Sequence, residues 1–243
     1  MGYFVAKRLF DLAVGTFLLV LAIPVILLCG IAIKMDSRGP VFFLQPRVGR
    51  GFRRFRLIKL RTMKDAARGE YYSVGNDLRV TRLGRFLRRY KLDELPQLWN
   101  VMRGEMSLVG PRPVVPEVVE AHREAYEGLL RTRPGLTDPA TLKYRREAEM
   151  LAMQADPDAC FRREFTPDKL RISQSYLERA TLGSDARVLL ATIAKVAEPL
   201  WRHKVEIGAG RAVQSDADAG MCSGESGIEL FQETRESALP WRF

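Results

Sequence analysis

Between Leu12 and Ile33 the chain reads LAVGTFLLVLAIPVILLCGIAI, 22 residues without a charge. At ~1.5 Å of rise per residue, one helix of this length crosses a ~30 Å hydrocarbon core. The run attaches the chain to a membrane, and every other element has to be arranged around that attachment. A cleaved signal peptide is a poor alternative, because the run is too long and no small-x-small site follows it. Pro24 lies near the middle of the run. It removes one backbone donor and sets its ring against the preceding turn, so a kink is expected there. Both flanks are basic, with Lys7 and Arg8 before the run and Lys34 and Arg38 after it, and such flanks prefer the cytoplasmic side. A helix that breaks at Pro24 and leaves by the face it entered satisfies both flanks, provided protein covers the broken backbone. An ordinary kinked span satisfies only one. The residues alone leave both paths open, with a slight edge to the span.

The formal charge of +10 is concentrated rather than spread. Gln45 to Lys91 holds 15 lysines and arginines against Asp65, Glu70 and Asp77, a net of +12, so the remainder is slightly acidic. A positive field of this density attracts phosphates, on nucleic acid, nucleotides or lipid headgroups; a solvated basic face is the plainer reading. Cys29, Cys160 and Cys222 have no metal-ligand or redox spacing. His122 and His203 are the only histidines, which argues against a His-based triad or multi-His metal site, so any acid, base or nucleophilic chemistry is expected from carboxylates.

After the apolar run, Val41–Gln45 and Phe55–Leu60 read as the strands of a β-hairpin whose turn is marked by Gly49 and Gly51. By period two, Phe55, Leu57, Lys59 and Arg61 share a face, so Lys59 and Arg61 either meet one anion or stay solvated. A loop is expected over 66–76. The stretch DLRVTRLGRFLRRYKL has helical spacing, with Leu83, Phe86, Leu87 and Tyr90 on one face and arginines around the others, the pattern of an interfacial helix. Further helices are expected over Glu117–Arg133, Thr141–Gln154, Thr166–Leu182 and Ser184–Trp201, the last opened by Ser184-Asp185. The small, polar and acidic composition beyond Val205 reads as a disordered tail.

At the end of the basic stretch stands KLDELPQLWNV, Lys91 to Val101. Pro96 suits the first turn of a helix, and this places Asp93 at or near the N-cap with Glu94 in the first turn. Two readings stand: a routine cap worth roughly 1 kcal/mol, or a pair of acids held for chemistry. Gly110-Pro111-Arg112-Pro113 fixes Arg112 in a stiff turn, which suits bidentate grip on a phosphate or simply joins two helices.

Taken in order, KRLFD with its Pro-broken apolar segment, GPVFFLQPRVG, FRLIKLRTM, LDELPQLWNVMRGEMSLVGPRP and RPGLTDPA resemble the bacterial sugar transferase family, the monotopic polyprenyl-phosphate phosphoglycosyl transferases. TLGSDARVLLATIAKV is a fainter match, and the resemblance covers about residues 1–200. It implies transfer of a sugar phosphate from a UDP-sugar donor to undecaprenyl phosphate with release of UMP, by an Asp-Glu dyad and Mg²⁺. Asp93 matches the nucleophile that forms a covalent phosphosugar, and Glu94 the residue that helps hold Mg²⁺. Lys59, Arg88 and Arg112 match positions on the substrate phosphates, Arg61 and Arg145 are weaker additions, and Asp185 matches an aspartate near the site, a role that competes with helix capping. Surrounding arginines and a helix N-terminus are expected to keep the nucleophile ionised.

In the family the segment is re-entrant at its proline, here Pro24, which tips the topology that way. The organisation implied is a membrane-embedded re-entrant helix over 1–35, a catalytic domain over 36–203 at the cytoplasmic face of the bacterial inner membrane, and a tail over 204–243. The fold class is α+β, mainly helical, with a small β-hairpin and amphipathic interfacial helices. Longer relatives carry an extra N-terminal membrane bundle that is not expected here.

Two departures from the family pattern stand out. Ile23 occupies the place of a small polar residue before the break proline, and Asp138, Thr141 and Tyr144 replace the usual Gly, Gln and Gly near Arg145. Of two rivals, a membrane-tethered nucleic-acid-binding module leaves the dyad without a task and shows no binding motif, so nucleic acid is not an expected partner. The other, an inactive scaffold, is at odds with the intact dyad.

Overall fold

A computed structural model describes residues 2–64 and 79–206. The apolar run lies inside one helix, α1 (Gly2–Asp36), which continues through Pro24. One stripe of it, Asp11, Gly15, Ala22, Gly30 and Ile33, is buried. Phe17, Val20, Leu21, Leu27, Leu28 and Ile31 remain exposed on the other faces. Small residues sit on the stripe because other elements come close there: a Cβ on Gly15 would lie 3.5 Å from Val101, and one on Gly30 would lie 3.2 Å from Val41. Among the described residues α1 is the one helix long and apolar enough to cross a membrane. So much exposed apolar surface belongs in lipid.

The expected hairpin is present. β1 (Phe42–Val48) and β2 (Arg54–Leu60) pair antiparallel, with Phe42 opposite Leu60 and Val48 opposite Arg54, across a 3-10 turn at Arg50–Phe52. α2 (Arg82–Arg89) follows, its first turn capped by Thr81, which accepts from Gly84 N–H at 2.8 Å. Gly84 has no substitute: a Cβ there would sit 2.1 Å from the carbonyl oxygen of Thr62. Of the predicted apolar face of α2, Leu87 is buried, whereas Phe86 stays exposed and packs on Tyr90 with ring centroids 4.8 Å apart.

Beyond α2 come α3 (Gln97–Met102), β3 (Ser107–Val109), α4 (Pro116–Ala121), α5 (Arg123–Glu127), β4 (Gly135–Thr137), α6 (Pro139–Lys143), α7 (Glu147–Ala152), α8 (Pro157–Cys160), α9 (Thr166–Glu178) and α10 (Leu182–Glu206). The helix expected over Glu117–Arg133 is broken at His122, where the backbone turns to φ −131°, and it closes in a 3-10 turn at Leu129–Arg131. The helix expected from Thr141 starts earlier, because Asp138 caps it by accepting from Thr141 N–H at 2.7 Å, and it stops at Tyr144. α10 begins under a cap at Thr181, whose hydroxyl accepts from Ser184 N–H at 3.1 Å while Ser184 Oγ accepts from Thr181 N–H at 2.9 Å. Asp185 is therefore inside the first turn rather than at its cap. β3 and β4 form a parallel pair in which Ser107 faces Gly135 and Val109 faces Thr137. Sequence reading missed this pair, since three-residue strands flanked by Pro and Gly carry no usable periodicity. The loop expected over 66–76 and the tail from 207 lie outside the described residues.

α3 is the hub. Leu98 and Val101 join Leu57, Met106, Leu108, Val109, Tyr176, Val188, Leu189 and Ala22 of α1 in one core, so the membrane helix and the domain share their interior. Asn100, fully buried, accepts from Ile58 N–H at 3.1 Å and donates to Arg56 O at 2.8 Å, tying α3 to β2. Arg8 of α1 donates to Val101 O at 2.8 Å and Met102 O at 3.0 Å, satisfying carbonyls at the end of α3. Replacing Asn100 with Leu removes both bonds to β2 while keeping similar bulk. The expected outcome is a loss of about 2–3 kcal/mol from the stranded backbone groups, read as a lower denaturation midpoint of the detergent-solubilised protein. An unchanged midpoint would mean β2 is held by apolar packing alone.

Candidate active site

The chain leaving α2 reverses at Lys91, which takes a left-handed conformation (φ 56°, ψ 20°) at a cost of ~1–2 kcal/mol for a non-glycine residue. Glu94 N–H then bonds Lys91 O at 3.2 Å, closing a 3-10 turn over Leu92–Glu94. Leu92 packs against Ile33, Leu60 and Leu87, and the two acids that follow it are buried, Asp93 at 7% exposure and Glu94 at 9%. The expected N-cap is corrected here. α3 begins at Gln97, behind Pro96, and the side chain of Asp93 caps nothing. The 3-10 turn intervenes because Pro96 ends the 92–94 turn before the α-helical bonds start.

The two carboxylates differ in their partners. Glu94 meets Arg112 through both oxygens, Nη2–Oε1 at 2.5 Å and Nη1–Oε2 at 3.4 Å, with Lys59 Nζ 3.8 Å from Oε1. Burial by itself would raise its pKa, yet Arg112, Lys91 and Lys59 together hold it well below the usual carboxylate range. Asp93 Oδ1 is buried with no hydrogen-bond partner among the described residues. Burial, then the neighbouring Glu94, push its carboxyl above its ordinary value against Lys59, Lys91 and Arg88. The expectation that a helix end and arginines would win at Asp93 thus gives way to desolvation.

Each basic partner is positioned by a different element. Pro111 O accepts from Gly135 N–H of β4 at 2.9 Å and Val114 O from Val48 N–H of β1 at 3.0 Å, so the Pro-rich turn carrying Arg112 is clamped on both sides. Lys59 comes from β2, and burial draws its pKa down to about 8 although Glu94 opposes the shift. Arg88 lies on α2, its Nε donating to Thr62 Oγ1 at 2.9 Å; the close approach at Gly84 is what lets α2 bring it there. Arg47 of β1 was missed by sequence reasoning. Its Nε is buried without a partner, its Nη2 donates to Gln45 Oε1 at 2.7 Å, and burial followed by Arg112 lowers its pKa to about 10. The signal available was its place in GPVFFLQPRVG, one of the strings that carry the family resemblance.

Other expected residues are placed elsewhere. Arg61 lies past the end of β2 and donates to the carbonyl oxygens of Ser37 and Arg38 after α1, away from the dyad. Arg145 sits half-buried in the turn between α6 and α7. Asp185, 1% exposed, is held by Tyr176 at 2.6 Å, Lys7 at 2.8 Å and Tyr3 at 3.1 Å, where it ties α10 and α9 to the start of α1. Pro24 lies within α1, far along the chain from these groups.

No cluster of three or more metal-ligating side chains occurs among the described residues. Mg²⁺ needs no such cluster, since it is commonly held by one or two carboxylates with water and substrate phosphates. Glu94, a single carboxylate next to the unpartnered oxygen of Asp93, would fit that mode of binding. Arg112→Met should cost about 1–2 kcal/mol, less than breaking a fully buried pair because solvent screens the Arg112 side chain, which is 41% exposed. Glu94→Gln in the same chain should return most of the loss. Thermal denaturation of the single and double variants measures this coupling, and strict additivity would show that the pair contributes nothing.

With this geometry in place, comparison with known proteins is informative. The family profile described as bacterial sugar transferase matches residues 2–199. The undecaprenyl-phosphate glucose phosphotransferase of Komagataeibacter xylinus is 38% identical over 201 residues, which is 78% of this chain and 35% of that protein. A UDP-glucose:undecaprenyl-phosphate glucose-1-phosphate transferase of Caulobacter vibrioides is 36% identical over 193 residues, 77% of this chain and 68% of that protein. One of the same name from Klebsiella pneumoniae is 38% identical over 197 residues, 79% of this chain and 40% of that protein. The chain thus spans about a third to two thirds of the length of these relatives. The match extends from α1 past the buried dyad into α10, and the chain belongs to the bacterial sugar transferase family.

Proposed function

We propose that this chain moves a sugar phosphate from a UDP-sugar to undecaprenyl phosphate through a covalent phosphosugar on Asp93, as an early membrane step of surface polysaccharide or glycoconjugate assembly. One observation carries the reading: Asp93 Oδ1 is buried and has no partner among the described residues, while the adjacent Glu94 is paired with Arg112 and Lys59. A structural carboxylate would have filled its hydrogen bonds. An attacking one has to keep an oxygen bare.

In the first step an oxygen of Asp93 attacks the sugar-side phosphorus of the donor. The bond from that phosphorus to the bridging oxygen breaks, and UMP leaves with the bridging oxygen and its electron pair. In the second step a phosphate oxygen of undecaprenyl phosphate attacks the same phosphorus. The Asp93–phosphorus bond breaks, giving undecaprenyl diphosphosugar and the free carboxylate. Phosphoryl transfer depends mainly on alignment and on neutralising charge at the transferring oxygens. Lys59, Arg88 and Arg112 supply fixed positive charge around the dyad, with Arg47 behind Arg112. Mg²⁺ held at Glu94 would neutralise further phosphate charge. Burial and the neighbouring Glu94 raise the Asp93 pKa, so added positive charge beside the dyad would favour the ionised nucleophile. The names of the relatives point to UDP-glucose among the donors of this family.

The site belongs at the cytoplasmic face of the bacterial inner membrane, with α1 entering and leaving by that face and bending at Pro24. Both ends of α1 pack on the same domain, Arg8 at the end of α3 and Ile33 with Leu60 and Leu87. A plain span would carry one end about 30 Å away across the bilayer. Phe42, Phe43 and Leu44 of β1, with Phe86 and Trp99, are exposed apolar side chains suited to the interface, and a lipid acceptor has to be met there.

Asp93→Asn is expected to lower UMP release from UDP-sugars, in the presence of undecaprenyl phosphate and Mg²⁺, by about 10³-fold or more, with membrane attachment unchanged. Intact-mass analysis of wild type after donor soaking should show the adduct on Asp93. Turnover of the variant at the wild-type rate would remove Asp93 from the reaction. A cysteine placed at residue 2 should react with an impermeant thiol reagent only from the cytoplasmic side; periplasmic labelling would establish a span instead.

A further inference from the structure

We propose that a second anion site, for a phosphate monoester or diester, lies in the cavity at the C-terminal end of α3, opposite the dyad, and that it holds the headgroup of an anionic phospholipid. The cavity has a volume of about 130 Å³ and is lined by Lys7, Arg8, Arg50, Arg131 and Arg133 among others, more room than one water requires. It shares no residue with the dyad cluster. Arg8 of its lining also holds the C-terminal end of α3, whereas the dyad precedes the start of that helix.

The case rests on unspent charge. Two acids line the cavity, Asp11 and Asp185, and both are already committed. Asp11 accepts from Leu108 N–H at 3.1 Å, and Asp185 takes Tyr3, Lys7 and Tyr176. Lys7 is spent on these acids. Arg8 and Arg133 bond only neutral carbonyls, Arg133 Nε donating to Gly104 O at 2.8 Å, and so keep their full charge. The side chains of Arg50 and Arg131 have no hydrogen-bond or ion-pair partner among the described residues. Five cations against two acids leave the lining at +3. These arginines come from separate pieces of chain, two of them on the 3-10 turns at Arg50–Phe52 and Leu129–Arg131, which pack on each other. Burial, then Arg8 and Arg50, pull the Arg133 guanidinium below its ordinary pKa, as expected when like charges face one another without a counter-ion. A planar fork of donors repeated around a cavity suits a phosphate.

The phospholipid source follows from the mouth of the cavity. Phe4 lines it and is 56% exposed, with Val5 and Leu9 exposed beside it on the first turns of α1. Apolar side chains bordering a basic pocket, on a helix that enters lipid, are the arrangement that takes an anionic headgroup at a membrane surface. Filling the site would fix the start of α1 against α3, and so the height of the domain above the bilayer.

The test uses the purified full chain in detergent and the double variant Arg50→Gln/Arg131→Gln, two exposed positions outside the dyad cluster, with Arg50→Gln alone as the fallback if the pair fails to fold. One arm titrates phosphatidylglycerol and phosphatidylcholine and counts retained lipid by native mass spectrometry. The other follows protection of the melting temperature by inorganic phosphate. Wild type should retain phosphatidylglycerol over phosphatidylcholine, and the double variant should lose this preference by about 10- to 30-fold. Protection by inorganic phosphate that depends on the two arginines, without any preference for phosphatidylglycerol, would keep the anion site and assign it a free phosphate. Equal behaviour of wild type and variant in both arms would overturn the proposal. No UDP-sugar enters either arm, so the result is independent of turnover at Asp93.

Discussion

Two adjacent carboxylates buried at the head of α3 impose the arrangement of the rest of the domain. Desolvating one ionised carboxylate costs several kcal/mol, and here two follow each other in sequence, both below 10% exposure. Glu94 is tolerated because Arg112 meets it on both oxygens and Lys59 stands behind. Those two cations arrive from a Pro-rich turn clamped between β1 and β4 and from β2. The hairpin and the small parallel sheet are in this sense scaffolding for counter-charges. Asp93 is left with an oxygen that has no hydrogen-bond partner among the described residues, and burial together with Glu94 disfavours its charge. An arrangement that stabilises one acid at the expense of its neighbour is costly for stability and useful for chemistry.

α3 transmits this arrangement to the membrane. Its start follows the dyad, its middle is tied to β2 by Asn100, and its end is held by Arg8 from α1. Six residues therefore connect the reacting groups, the hairpin and the lipid-embedded helix. Ala22 of α1 lies in the same core as Leu98 and Val101, so the membrane segment is part of the domain's interior rather than a tether. A rigid joint between α1 and α3 therefore fixes where the buried dyad sits relative to the apolar helix.

Much of this was legible along the chain. The uncharged run announced α1, the alternation around Gly49 and Gly51 announced the hairpin, and the motif string located Asp93, Glu94, Lys59, Arg88 and Arg112, which the fold does bring together. Local pattern misled where two explanations share one signature. Pro96 after two acids reads as a capped helix start, yet the turn at Leu92–Glu94 is 3-10 and Asp93 caps nothing. Ser184-Asp185 reads as another start, but Thr181 and Ser184 cap α10, and Asp185 turns inward to Lys7 and two tyrosines. Arg61 shares a period-two face with Lys59, but the strand ends at Leu60, and its guanidinium goes to the carbonyls after α1. Arg47 carried no spacing signal at all, because its role depends on which side of β1 the Arg112 turn packs against.

The sequence by itself settled what short-range physics decides: a membrane-seeking helix from an uninterrupted apolar run, paired strands from alternation, a basic field from composition, and an acidic dyad from a contiguous motif. Only the tertiary structure decided which cations answer which acid and which oxygen stays bare. Coulomb attraction and desolvation act through space with no regard for distance along the chain. The partners of Glu94 lie 18 and 35 residues away in sequence, at Arg112 and Lys59, and no local pattern encodes that meeting.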